Sequence, residues 1–142
     1  MKLVVLEVKD QLLYQEITCL KTQQVAYIRP HLYKHNAPSG SITLVVKNTS
    51  DSVLYTSDAL TITDISTANY FHGYVRFAIP FVMIKDTTYR IYINSSGYTY
   101  SDSAFIGWCN DFDLHKYDLN YTPVCSTGRP LDLEVWNKER IL

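Results

Sequence analysis

The stretch Gly73–Ser95, GYVRFAIPFVMIKDTTYRIYINS, limits this chain to a β architecture more tightly than any other. Val75, Phe77 and Ile79 alternate with Tyr74, Arg76 and Ala78, and Tyr89, Ile91 and Ile93 alternate with Arg90, Tyr92 and Asn94. A period of two places successive side chains on opposite faces of a pleated strand, so each run predicts a strand with one buried face. Pro80 has no N–H for a sheet ladder, so the first strand must end, bulge or lie at an edge there. Asp86, Thr87 and Thr88 turn the chain into the second strand.

The rest of the chain repeats this grammar. Lys2–Val8, Val25–Lys34, Ser41–Lys47, Val53–Thr56, Leu60–Ile65, Tyr98–Tyr100, Ala104–Cys109 and Leu131–Trp136 read as strands, and Gln11–Leu20 reads as a strand with Tyr14, Glu16 and Thr18 outward. Ser41–Lys47 and Val53–Thr56 form a hairpin across Asn48–Ser52. In Val25–Lys34, Ala26, Ile28 and Leu32 are expected on one face and Tyr27, Arg29, His31 and Tyr33 on the other, with Pro30 marking an edge or bulge. Asn110–Tyr121 is expected to be the longest loop. Tyr is the most abundant aromatic, at 12 residues, which suits half-buried pleated surfaces better than helices. Short strands at roughly ten-residue spacing predict an all-β, antiparallel β-sandwich. Residues 1–127 form the sandwich; 128–142 supply a C-terminal strand and arm, packed on the same domain or on a neighbour.

The formal net charge of −1 gives no long-range pull toward phosphate backbones or anionic bilayers, so neither nucleic acid nor membrane insertion is expected. No stretch is long enough to span a bilayer, and the N-terminal segment reads as a strand, not a signal peptide. Cys19, Cys109 and Cys125 match no zinc spacing and read as buried thiols, with a Cys109–Cys125 disulfide as the alternative. No Gly-x-Ser-x-Gly elbow is present, and His31, His35, His72 and His115 accompany no evident nucleophile, so no catalytic residue is assigned.

Three binding features emerge. Tyr98, Tyr100 and Trp108, near Asp102 and Asn110, form a candidate glycan platform, because a pyranose stacks its C–H face on an aromatic ring and hydrogen-bonds through its hydroxyls. Tyr27, Arg29, His31 and Tyr33 form a second row of that kind. The competing reading of both is aromatic packing inside the sandwich. Asn110, Asp111, Asp113 and Asp118 gather oxygen donors that suit a structural calcium or a solvated acidic turn; the spacing is not that of an EF-hand. Trp136, with Ile141 and Leu142 beyond it, is a candidate assembly contact, as is the arm Met1–Gln11.

The runs YIRPHLYKHNAPSGSITLVVKN and FHGYVRFAIPFVMIKDTTYRIYI resemble jelly-roll β-sandwich modules: an edge strand, a Pro-Ser-Gly turn, then alternating strands. Such modules are similar to carbohydrate-binding modules and to virion proteins of tailed bacteriophages, including capsid-decoration and fibre-associated proteins. The resemblance covers about residues 26–110. PLDLEVWNKERIL looks like the closing strand of small phage structural proteins. It implies a jelly-roll fold and a non-enzymatic virion protein, assembled in the host cytoplasm, that docks on other virion proteins as a homo-oligomer and adheres to polysaccharide. A stand-alone carbohydrate-binding module is the alternative.

Overall fold

The computed structural model describes residues 5–8, 13–36, 38–65, 75–101, 103–109, 121–124 and 133–137. They form an all-β, antiparallel sandwich. The strands are β1 (Val5–Val8), β2 (Tyr14–Cys19), β3 (Gln23–Pro30), β4 (Leu32–His35), β5 (Ser41–Lys47), β6 (Val53–Thr56), β7 (Leu60–Thr61), β8 (Phe77–Met83), β9 (Thr88–Asn94), β10 (Phe105–Cys109), β11 (Tyr121–Val124) and β12 (Leu133–Asn137). One sheet has the order β11-β2-β9-β5-β6, with β7 also on β5. The others have the orders β12-β3-β8 and β1-β10-β4. Only His31 separates β3 from β4, so one nearly continuous strand joins the last two sheets. No helix among the described residues is long and apolar enough to cross a membrane.

Alternation explains the core. Ile17 and Cys19 of β2, Ile42, Leu44 and Val46 of β5, and Tyr89, Ile91 and Ile93 of β9 point inward from one sheet. They meet Val25 and Ile28 of β3, Leu32 of β4, Phe77, Ile79 and Met83 of β8, and Ile106 and Trp108 of β10 in a single buried cluster. Cys19 is a free, fully buried thiol. Burial pushes its pKa up to about 11, so it stays protonated and packs as a small apolar group, its Sγ 3.4 Å from Met83 Sδ. Cys125 lies outside the described residues.

Pro80 and Pro30 each mark a break in a strand ladder. Pro80 lies inside β8, which ends the order β12-β3-β8. Val25 faces Phe81 while Tyr27 faces Ala78, so β8 carries one extra residue around Pro80. The strand is therefore at an edge and bulged, and the missing N–H interrupts no central ladder. The same irregularity brings both Val25 and Ile28 to the core and leaves Ala26 half-buried, unlike the simple alternation expected for β3. Pro30 ends β3, and its carbonyl accepts from the Val75 N–H at 3.0 Å.

Other expectations need correction. Leu60–Ile65 is not a full strand: β7 has two residues, and Ile62–Asp64 form a 3-10 turn that lets both Ile62 and Ile65 reach the core. Tyr98–Tyr100 is not a strand, and Tyr98 makes a single bridge to Gly40. Tyr121–Val124 forms β11, which pairs with β2 at the sheet edge, where Pro123 is tolerated. The C-terminal strand β12 pairs with β3 of the same chain, with Trp136 opposite Tyr27. It is thus part of this domain's own sheet.

Gly40 closes one end of the sandwich. Its φ is +110°, and an added Cβ would stand 2.2 Å from the Gly97 carbonyl oxygen. That same oxygen accepts from Ser41 N–H at 2.8 Å, so neither backbone can retreat without losing the start of β5. Gly40→Ala is expected to destabilise the fold by at least ~1–3 kcal/mol from backbone conformation alone, with the clash adding to it. Urea unfolding of the two proteins measures the difference; equal midpoints would contradict this account of the turn.

Candidate functional site: the outer face of the β2-β9-β5-β6 sheet

The residues singled out for glycan binding do not assemble into a platform. Trp108 is 0% exposed and Tyr98 9%. Trp108 belongs to the inward face of β10, opposite Leu32. The Tyr98 hydroxyl accepts from the Ile106 backbone N–H at 3.2 Å. Both aromatics therefore pack the core, and a sugar could not stack on Trp108. Tyr100 is half-buried against that core, 6.0 Å from Phe105 between ring centroids. Asp102 lies outside the described residues, as do Asp111, Asp113, Asp118, Ile141 and Leu142. Among the described residues, no group of three His, Cys, Asp or Glu side chains could hold a metal ion.

The second row is also divided. The strand break at His31 buries that histidine and separates Tyr27 and Arg29 on β3 from Tyr33 on β4. Arg76 Cζ sits 4.4 Å from the Tyr27 ring centroid, and the Tyr33 hydroxyl is 3.3 Å from His35 Nδ1.

A different surface gathers aromatic and charged groups. Tyr14, Glu16 and Thr18 point out from β2, and their cross-strand partners on β9 are Tyr92, Arg90 and Thr88. On the other side of β9, Tyr92 faces Val45, Arg90 faces Lys47 and Asn94 faces Thr43 of β5. Val45 in turn faces Thr56 of β6. Residues directly opposite share a face, so two rows cross the sheet: Tyr14, Tyr92, Val45 and Thr56, then Glu16, Arg90 and Lys47.

Within these rows the groups touch. The Tyr14 and Tyr92 ring centroids are 4.9 Å apart at 37°. Arg90 Nε donates to Glu16 Oε1 at 2.8 Å, and Arg90 Cζ lies 4.9 Å from the Tyr14 ring centroid. Lys47 Nζ lies 4.5 Å from the Tyr92 ring centroid and 3.2 Å from Asp51 Oδ1. The Tyr92 hydroxyl donates to the same Asp51 oxygen at 3.4 Å. Asp51 reaches this position because the β5–β6 turn folds back: Asn48 Oδ1 accepts from the Ser50 and Ser52 N–H groups at 3.0 and 2.9 Å, and Asp51 itself has φ +68°.

Electrostatics follow from these contacts. Arg90 is held in its charged form above its ordinary pKa, chiefly by the hydrogen bond to Glu16. The Tyr92 phenol is pushed up, first by burial and then by the Asp51 carboxylate, against the opposing pull of Lys47 and Arg90. Tyr92 and Val45 are each only 6% exposed although they face away from the core. The flanking side chains rise around them and leave a shallow depression of about 150 Å³, lined by Val45, Lys47, Val53, Thr56, Tyr92 and Asn94. Enclosed small-molecule pockets are larger, typically ~300–1,000 Å³. This is an open, shallow depression with an apolar floor and polar walls.

The components were visible in the sequence as the outward residues of two strands. Their convergence was not, because it depends on pairing β2 with β9 across more than seventy residues. Compared with protein-family models, with characterised proteins and with solved structures, the chain gives no match.

The two aromatic sets should separate on substitution. Trp108→Ala is expected to cost ~3–5 kcal/mol, as truncation of a buried aromatic does. Tyr14→Ala, at a side chain 36% exposed, should cost no more than about 1 kcal/mol. Chemical denaturation of both variants gives the comparison, and a Trp108→Ala protein as stable as the parent would contradict the core assignment.

Proposed function

We propose that this protein is a non-enzymatic virion structural protein of jelly-roll type, which works by binding and adheres to glycans through the outer face of the β2-β9-β5-β6 sheet. The observation that carries the adhesive part is the Tyr14–Tyr92 pair beside the depression. Tyr14 keeps more than a third of its surface open for the C–H face of a sugar ring. Asn94, Lys47 and Arg90 stand within the same face to meet hydroxyls. Pairing order supports the jelly-roll wrap: β2-β9-β5-β6 forms one layer, and β1-β10-β4 continues through β3 to β8 in the other. With β3 and β4 counted as one strand interrupted at His31, eight strands are divided between the two layers, an order compatible with the double Greek key expected of that fold. The virion context comes from the resemblance of residues 26–110.

Docking between copies has its own support. Val53 and Leu54 on β6, with Val82 on β8 and Ile84 just beyond it, are large apolar side chains exposed to solvent. β6 and β8 end their respective sheets, and the Tyr55 and Phe81 rings stack between them, 6.0 Å apart at 14°. An exposed apolar edge invites strand pairing, and two copies of one edge are self-complementary about a two-fold axis. Because β12 belongs to the domain's own sheet, an arm at Trp136 is the weaker anchor for such contacts.

Tyr14→Ala should abolish retention on immobilised polysaccharides that bind the parent protein, while its circular dichroism stays unchanged. Retention equal to that of the parent would remove the adhesive reading. Leu54→Asp should shift sedimentation toward the monomer at concentrations where the parent associates. A parent that sediments as a monomer throughout the micromolar range would remove the docking reading.

A further inference from the structure

We propose that the glycan recognised by the β2-β9-β5-β6 face is a neutral saccharide, read by two preset donor–acceptor pairs, and not an acidic one drawn in by cations. The inference rests on the adhesive reading above and concerns the chemistry of its ligand. Four charged groups define the described face: Glu16 and Arg90 in one pair, Lys47 and Asp51 in the other. Their formal charges cancel. Arg90 and Lys47 are direct cross-strand neighbours, an arrangement that would repel if left uncompensated. Each is instead matched by a carboxylate on its far side, Glu16 across β2 and Asp51 from the β5–β6 turn.

This balance decides between ligand classes. A surface built to capture uronate or sulfate groups leaves cationic donors unmatched, so that the ligand supplies the missing charge. Here an acidic sugar would bring an anionic group close to Glu16 and Asp51, which already occupy the two cations. A sugar hydroxyl donates and accepts at once. Each pair offers both roles from side chains that are already oriented: Arg90 by Glu16 and by the Tyr14 ring, Lys47 by Asp51 and by the Tyr92 ring. Asn94, at the same depression, adds an amide Nδ2 donor, its Oδ1 already accepting from the Ser96 N–H at 3.0 Å. Preset groups lose little side-chain freedom when a ligand arrives.

Asp51 is the residue that tests this. It is mostly exposed and sits in a turn at positive φ, a conformation that asparagine also tolerates. Asp51→Asn therefore keeps the turn while leaving Lys47 without its carboxylate. The experiment measures affinity of the parent, Asp51→Asn and Tyr14→Ala proteins by calorimetry or affinity electrophoresis. The probes are neutral gluco-, galacto- and manno-oligosaccharides, an oligogalacturonate and a sulfated dextran, at low and high salt. The parent should bind at least one neutral series with little salt dependence and bind the acidic probes more weakly. Asp51→Asn should shift preference toward the acidic probes by at least about fivefold at low salt, the scale of one unit charge at contact distance in water, and the gain should fade at high salt. Stronger parent binding to the acidic probes, lost in Tyr14→Ala, would overturn the neutral-ligand inference and leave the adhesive reading standing. Binding to none of the probes would overturn both.

Discussion

Strand β9 bears the structure. It lies between β2 and β5 in the larger sheet, and its seven residues serve two surfaces at once. Tyr89, Ile91 and Ile93 enter the core, while Arg90, Tyr92 and Asn94 form the middle of the outer face. A slip of one residue in either pairing would exchange these sets, burying a guanidinium and exposing three large apolar side chains. Register is thus held from both sides, by hydrophobic burial below and, above, by the Glu16–Arg90 pair across β2 and the Tyr92 hydroxyl's hydrogen bond to Asp51. The Thr18 and Thr88 hydroxyls, 2.8 Å apart, hold one end of the β2–β9 ladder.

On the outer face, apolar and aromatic side chains are shielded without an enclosed cavity. Val45 and Tyr92 would be exposed on an ordinary solvent face, yet they are covered by side chains from three strands. The covering groups are long and amphipathic, so their stems shield apolar surface while their heads stay hydrated. The exposed Lys47–Asp51 pair contributes little to stability, about 0–1 kcal/mol for pairs of this kind. Its consequence is positional: it holds the ammonium above the Tyr92 ring and fixes the charge balance of the face.

Much of the fold was legible along the chain. The alternations at Ser41–Lys47 and Thr88–Asn94, the outward Tyr14, Glu16 and Thr18, and the β5–β6 hairpin depend on local pattern, which survives folding. Pro80 announced an edge or a bulge and marks both. Local pattern failed where tertiary contacts override it. Leu60–Ile65 alternates like a strand, but the need to bring both Ile62 and Ile65 inward turns it into a 3-10 segment. Pro123 concealed β11, because a proline counts against a strand unless the strand is known to be an edge. Tyr98, Tyr100 and Trp108 looked like a sugar platform because they are close in sequence, and proximity along the chain says nothing about which side of a sheet meets the opposite layer.

Side-chain period and composition are local properties, so an antiparallel sandwich, the faces of its regular strands and a near-neutral net charge were readable from the chain alone. Tertiary structure decided which outward residues became neighbours. Tyr14 and Tyr92, or Glu16 and Arg90, meet only because β2 and β9 pair in one register. That register is selected by the summed burial of the shared core, a quantity that no single stretch of the chain contains.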